Sequence, residues 1–315
     1  MNIVVAGAGG FLGSHLTERL LQQGHTVLGI DNFITGQRQN IDQILKNWPN
    51  HFHFFERDVC ETIDFLTDIK IDQIYYLASP ASPIDYVQLP LETLYVGSYG
   101  CDNYLKLAHA KGAHFLLTST PEVDGDPLVH PQPEEYWGNV NPIGPRSVYD
   151  ESKRYAEALT MAFHRHLGVE VRVARIFNTY GPRMRHDDGR VVPTFIKQAL
   201  LGEPLSVFGD GHQTRSFCYC SDLVRGLDVL MNNEVSTGPF NLGNPHELTM
   251  LELAEEINSV IGNTAGVIHK PLPPNDPTRR RPDLQNTRAV LEWQPEITFG
   301  EGMRQTIDYF RSVLL

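Results

Sequence analysis

Short apolar runs rich in β-branched residues alternate with helix-period segments through the first half of the chain. Asn2–Ala6, Thr26–Ile30, Phe52–Glu56, Gln73–Leu77, Ala113–Thr118 and Val169–Ile176 each have the length and composition of a strand. Between them Gly13–Gln23, about Pro90–Lys111, and Ser147–His166 carry apolar residues at helical spacing. Such alternation predicts a doubly wound parallel α/β sheet (Rossmann-type), with ligands at the carboxyl ends of its strands. The second half is less regular and predicts a smaller, mixed substrate domain. The expected division is a dinucleotide-binding domain over 1–176, with segments near 206–240 returning to it, and a mainly substrate-binding domain over 177–315. Two proline-rich stretches, Pro121–Pro145 and Pro271–Pro282, read as loops, because proline fixes φ and removes a backbone donor. Loops of that length in a compact domain serve as binding segments or lids.

Bulk properties narrow the function. The 315 residues are 41% hydrophobic and 20% charged, an ordinary globular composition. No apolar run is long enough to span a bilayer, and the first strand begins at Asn2, which leaves no room for a targeting segment; the expected location is cytoplasmic. A net charge of −12 argues against nucleic acid or an anionic membrane as partner. Four cysteines make no disulfide framework, and Cys218/Cys220, His51/His53 and His164/His166 lack convergent ligands, so no metal is expected. An anionic substrate would need clustered arginines against this field. Arg183, Arg185 and Arg190, then Arg215, then Arg279–Arg281 supply three clusters, whose guanidinium forks suit phosphate and carboxylate. Arg279 and Arg281 read as solvated.

Gly7-Ala8-Gly9-Gly10-Phe11-Leu12-Gly13 follows the first strand and opens a helix. Glycines at 7, 10 and 13 permit a tight turn, close approach to a pyrophosphate and close helix–strand packing, with the phosphates on the helix N-terminus. Asp31 ends the second strand, where an acid binds ribose hydroxyls and repels a 2′-phosphate; the expected cofactor is NAD. Tyr149 and Lys153 lie four apart at the start of a helix, on one face. A lysine ammonium and a nicotinamide cation would both favour the phenolate, making Tyr149 an acid and base at neutral pH. Thr120 ends the strand before this helix and offers a hydroxyl to the reacting oxygen of a substrate. Glu122, two residues on, is placed to carry a proton or order a water.

These residues carry a resemblance. The Gly-x-x-Gly-x-x-Gly spacing is similar to that of extended short-chain dehydrogenases/reductases. The stretches Leu77–Pro83, Gly125–Gln132, Tyr136–Pro145 and Ala174–Arg183 closely resemble the UDP-glucuronate decarboxylase (UDP-xylose synthase) family, and the likeness runs from Asn2 to the last helix. It implies that Phe11 and Leu12 line the pyrophosphate turn, that Asp31, Asn32, Thr35 and Gly36 surround the adenosine ribose, that Asp58 and Val59 face adenine, and that Leu77, Ala78 and Ser79 lie along the cofactor, with Thr179 nearer the nicotinamide. It assigns Tyr86, Asn178, Arg190, Gln213 and Arg215 to the nucleotide sugar, and Arg280 to its carboxylate. It also implies a homodimer paired through the helices in Pro90–Lys111 and Ser147–His166. The implied reaction is NAD-dependent decarboxylation of UDP-glucuronate to UDP-xylose through a 4-keto intermediate, with internal hydride return. Alternatives are a 4-epimerase or 4,6-dehydratase of the same fold, or a non-catalytic NAD-binding regulator. The chain departs from the family's usual residues at Pro121 (Ser), Asp124 (Tyr) and Ser152 (Gly). Loss of the serine hydroxyl and backbone donor beside Glu122 predicts slower decarboxylation or reprotonation, with release of a 4-keto intermediate as the consequence.

Overall fold

The structure, a computed structural model, describes residues 1–272 and 279–315. The middle of the expected loop Pro271–Pro282, residues 273–278, lies outside the described residues. In the first half the order is β1 (Asn2–Ala6), α1 (Phe11–Gln22), β2 (Thr26–Asp31), α2 (Arg38–Asn47), β3 (Phe52–Glu56), β4 (Gln73–Tyr76), α3 (Pro83–Gln88), α4 (Pro90–Tyr95), α5 (Cys101–Lys111), β5 (His114–Ser119), α6 (Ser147–Leu167) and β6 (Val171–Ile176). Then come β7 (Thr179–Tyr180), α7 (Val191–Leu200), β8 (Leu205–Phe208), β9 (Thr214–Ser216), β10 (Cys218–Tyr219), α8 (Cys220–Met231), β11 (Phe240–Leu242), β12 (Glu247–Thr249), α9 (Met250–Ile261), β13 (Val267–Lys270), β14 (Arg279–Arg280), α10 (Gln285–Leu291) and α11 (Phe299–Leu314).

Seven parallel strands form the main sheet in the order β11-β6-β5-β4-β1-β2-β3. Its inner strands are buried along most of their length and rich in apolar residues, whereas in the edge strand β3 only Phe52 is buried. One face packs Leu16, Leu20 and Leu227 from α1 and α8; the other packs Tyr104, Leu105 and Ala156 from α5 and α6. The strand order reverses between β1 and β4, so the loops leaving these strands diverge and leave a crevice. A Cβ on Gly7 would lie 2.9 Å from the backbone nitrogen of Ala78, so the two loops touch at that point. Around the second half, α7, α9 and α11 enclose their own core of Phe195, Ile196, Leu253, Ile257 and Phe310 beside small sheets (β12-β9-β14 and β13-β8).

The stretch expected as one helix over Pro90–Lys111 is interrupted. Between α4 and α5 a π-helical turn spans Val96–Gly100, and the Tyr76 hydroxyl donates to the Val96 carbonyl at 2.7 Å. Added Cβ atoms on Gly97 and Gly100 would lie 2.5 Å from Ser152 Oγ and 2.4 Å from the Tyr76 hydroxyl. The widened turn therefore seats the chain directly against α6 and the end of β4. Among the described residues no helix is long and apolar enough to cross a membrane.

Candidate active site

The glycine turn after β1 is built for a bulky anion. A Cβ on Gly13 would lie 1.9 Å from the Gly7 carbonyl oxygen, so only glycine lets the first turn of α1 close on the loop. Gly10 precedes α1, and the first turn of that helix carries no acidic residue to compete for its free N–H groups. Asp31 braces the loop from behind: its carboxylate accepts from the backbone N–H groups of Gly9 (2.9 Å) and Phe33 (2.8 Å). Burial raises the Asp31 pKa, and these hydrogen bonds pull against that rise. A Cβ on Gly36 would lie 2.6 Å from Asp31 Oδ1. The residues present fit a nicotinamide dinucleotide, because the side-chain-free cradle opens at the sheet's switch point.

From this turn a groove of about 590 Å³ runs between the two halves of the chain. Of the residues predicted from sequence, Gly7, Gly10, Phe11, Leu12, Gly13, Thr35, Leu77, Ser79 and Tyr86 line it on the sheet side. Thr120, Glu122, Tyr149, Lys153, Asn178, Thr179, Arg190, Gln213, Arg215 and Arg280 complete it. Asp31, Asn32, Gly36, Asp58, Val59 and Ala78 do not line it. Val59 is buried against the core that includes Tyr76 and Val96, and Asp58 accepts from the Asn32 amide (2.9 Å).

At the groove's floor Tyr149, in the first turn of α6, is 8% exposed and stacks on Tyr86 of α3, with ring centroids 5.1 Å apart and planes 11° apart. Thr120 Oγ1 accepts from the Glu122 N–H (3.2 Å), and the Thr120 side chain lies close enough to the Tyr149 hydroxyl to lower its pKa. Lys153 Nζ, buried, donates to the Thr118 carbonyl (2.9 Å) and lies 5.9 Å from the Tyr149 ring centroid. The expected lowering of the phenol pKa is not a property of the protein groups alone. Burial and the Glu122 charge push Tyr149 up to about 12, against the Thr120 hydrogen bond, while burial lowers Lys153 to about 8.

Glu122 is the centre of a charge cluster that reasoning from sequence did not assemble. Pro121 opens a 3-10 turn over Pro121–Asp124, where its missing N–H is not needed, so the substitution presets the turn and leaves no backbone partner stranded. That turn aims Glu122 at both Arg280, which forks onto its two oxygens, and Arg146, which donates to Oε2 at 2.8 Å. Burial opposes ionisation of Glu122, but the two guanidiniums outweigh it and hold the carboxyl at about 2. Glu122 is therefore an anion through the working range and not a proton carrier. Arg146, immediately before α6, carried no signal beyond its place at the end of a proline-rich stretch.

The arginine clusters divide by partner. Arg183 bonds Glu18 of α1 (2.5 Å), Arg185 bonds Asp85 of α3 (2.8 Å), and Arg190 bonds Asp188 (Nε at 2.8 Å). Arg280 lies beside Arg215 across the β14–β9 register. Arg279 is exposed, and Arg281, 40% exposed at its side chain, approaches Glu247 at 3.6 Å.

The sequence pattern of the NAD dependent epimerase/dehydratase family matches residues 3–243. UDP-glucuronic acid decarboxylase 1 of Arabidopsis thaliana is 52% identical over 315 residues, covering 100% of this chain and 71% of the plant protein. UDP-glucuronic acid decarboxylase 1 of Danio rerio is 50% identical over 310 residues, 98% of this chain and 72% of the fish protein. Among solved structures, UDP-glucose 4-epimerase of Thermotoga maritima with UDP-glucose superposes with a TM-score of 0.92 at 26% identity, covering 100% of both chains. UDP-glucuronic acid 4-epimerase of Bacillus cereus, in complex with UDP-glucuronic acid and NAD, gives 0.88 at 26%, covering 99% of this chain and 100% of that one.

Proposed function

The chain belongs to the NAD dependent epimerase/dehydratase family, among the UDP-glucuronic acid decarboxylases, and from that premise we propose that it decarboxylates UDP-glucuronate to UDP-xylose with NAD as a catalytic cofactor. One observation carries the reading: the Tyr149–Thr120 pair and the Arg280–Glu122–Arg146 cluster open into one groove beside the glycine turn. An acid/base for a sugar hydroxyl thus lies next to guanidiniums already suited to a carboxylate.

Gly7, Gly10 and Gly13 would hold the pyrophosphate, and Asp31 stands behind the ribose side. When bound, a nicotinamide dinucleotide supplies an acceptor for the hydrogen at sugar C4, returns that hydrogen later, and in its oxidised form brings a cationic ring. Tyr149 takes the C4 hydroxyl proton, with Thr120 donating to the same oxygen. Lys153, fixed on the Thr118 carbonyl, sets a positive charge beneath the phenol. Arg280 and Arg146 hold and orient the C6 carboxylate. A ketone at C4 stands β to that carboxylate, so electrons from the breaking C5–C6 bond delocalise onto the C4 oxygen, where Tyr149 and Thr120 stabilise the developing charge. Because Glu122 remains ionised, its role in reprotonating C5 is to order a water as hydrogen-bond acceptor. Arg190, Gln213 and Arg215 line the end of the groove that suits the diphosphate and uracil.

Exposed apolar side chains, Leu91 and Tyr95 on α4, Tyr99 in the π-helical turn and Tyr155 on α6, support pairing of two chains through these helices. Incubation with UDP-glucuronate and NAD, followed by NMR of the nucleotide sugars, tests the function. UDP-xylose and carbon dioxide in equal amounts are the expected products. UDP-galacturonate with C6 retained would replace this reading by the 4-epimerase one, and tight NAD binding with no turnover would favour a regulator.

A further inference from the structure

Glu122 and Arg280 come from opposite halves of the chain, and the ion pair between them does not fix where they meet. Coulomb attraction falls only as the inverse of distance, so the two stay paired over a range of positions. A hydrogen bond weakens steeply with angle and holds a register. One buried side chain makes such bonds to both arms. Gln132, 0% exposed, donates from its amide to Asp124 Oδ2 (2.8 Å), at the end of the turn that presents Glu122. Its backbone N–H donates to the Arg281 carbonyl, and its carbonyl accepts from the Asp283 N–H, both at 2.9 Å. These bonds form a parallel bridge to Pro282, directly after β14. The Asn241 amide of β11 braces the same step, donating to the carbonyls of Gln132 (2.9 Å) and Asp283 (3.0 Å). Asp124 is 2% exposed, and its own carbonyl accepts from the Asn139 N–H (2.8 Å). Arg175, forked onto Glu157 of α6, stands 3.7 Å from Asp124 Oδ1. Neither Asp124 nor Gln132 is among the residues that line the groove, so both act at one remove from a bound sugar.

We infer that Asp124 and Gln132 are positioning residues: their buried hydrogen bond ties the turn carrying Glu122 to the strand carrying Arg280, and so sets the angle at which the sugar carboxylate is held for loss of carbon dioxide. The inference rests on the reading of the chain as a decarboxylase. Cleavage requires the C5–C6 bond to stand parallel to the π orbitals of the C4 carbonyl, because only then do its electrons pass onto the C4 oxygen. On that reading Tyr149 and Thr120 fix the C4 oxygen from α6 and the end of β5, while Arg280 holds the carboxylate from β14. The angle between bond and carbonyl is therefore an angle between two elements, and the Asp124–Gln132 bond spans them. Oxidation at C4 has a lighter requirement. It draws its proton acceptor from Tyr149 and its positive charge from Lys153, which is fixed on the Thr118 carbonyl within β5 and α6. Loss of the link should spare the first step and slow the second.

Single-turnover kinetics on NAD-loaded protein with UDP-glucuronate test this, following the absorbance of reduced nicotinamide beside the release of carbon dioxide. Gln132→Leu removes the donor while keeping a side chain of similar size. Reduced nicotinamide is expected to form at close to the unsubstituted rate and to accumulate. Carbon dioxide release is expected to slow by about tenfold to a hundredfold, the scale of a small misplacement of reacting groups. Asp124→Asn keeps an acceptor for Gln132 and should release carbon dioxide as the unsubstituted enzyme does. Gln132→Glu sets two carboxyls against each other and should behave like Gln132→Leu. Asp124→Asn combined with Gln132→Glu restores the bond with donor and acceptor exchanged, and should recover most of the rate; this pair carries the comparison if Gln132→Leu does not fold. A merely structural role would slow both steps alike. Unchanged carbon dioxide release in Gln132→Leu, equal slowing of both steps, or no recovery in the exchanged pair overturns the inference. No carbon dioxide from the unsubstituted enzyme overturns the functional reading instead.

Discussion

Tyr149 shows how a single residue takes its chemistry from its surroundings. Its hydroxyl lies near Thr120 and its ring stacks on Tyr86, so Tyr149→Phe would remove the proposed proton acceptor and leave the packing in place. Steady-state kinetics should show kcat reduced by about 10²–10⁴-fold, with UDP affinity changed little. Asp124 allows a stability test with a definite sign. Its folded pKa, about 6, lies above the unfolded value of 3.8, so the native state binds more protons between the two and stability falls as pH rises through that window. Asp124→Asn, which removes the titration, should stabilise the chain by roughly 1–3 kcal/mol at pH 8.5 and by much less at pH 4. Denaturant midpoints at the two pH values measure the difference. Tyr149, Lys153 and Thr120 could be found from the sequence because each sits at a fixed offset from a strand end or helix start. Arg146 could not, because its pairing with Glu122 is a contact made across the fold. The pairing of Glu122 with Arg280, 158 positions apart, exists only once the turn after β5 and the strand β14 meet in the fold.

Element by element, the apolar runs located all six first-half strands: the inner ones because burial on both faces demands apolar residues, and the edge strand β3 through its three phenylalanines, of which only Phe52 is buried. The short helix Arg38–Asn47 was missed for the opposite reason: only Asn40, Ile41 and Ile44 are buried on an otherwise polar segment. The break in Pro90–Lys111 was hidden as well, because Gly97 and Gly100 look like tolerated helix glycines until Ser152 and Tyr76 are seen against them. Gly13, in the first turn of α1, has no comparable freedom. Gly13→Ala forces a Cβ onto the Gly7 carbonyl and should destabilise the fold by about 2 kcal/mol or more and weaken NAD binding at least tenfold, read by thermal unfolding and cofactor titration.

Over the whole molecule, the two halves meet across the groove through the segment around Arg183–Arg190. The Gln37 amide donates to the Arg183 carbonyl (2.9 Å), and Arg185 reaches both the Thr35 carbonyl (3.3 Å) and Asp85 (2.8 Å). Thr35 belongs to the loop after β2, and Asp85 precedes Tyr86, so one side chain joins that loop to the helix stacked on Tyr149. Arg185→Ala should raise the NAD dissociation rate severalfold, with kcat at saturating NAD reduced less, as stopped-flow displacement and steady-state rates would report. The central claim is that one site oxidises C4, releases C6 and restores the same hydrogen to C4. UDP-glucuronate deuterated at C4 and carrying ¹³C at C6 tests it in a single reaction. The account predicts ¹³C-labelled carbon dioxide, UDP-xylose with the deuterium still on C4, and a solvent hydrogen at C5. Carbon dioxide release with C4 deuterium lost to solvent, or a product that keeps its labelled C6, would contradict it.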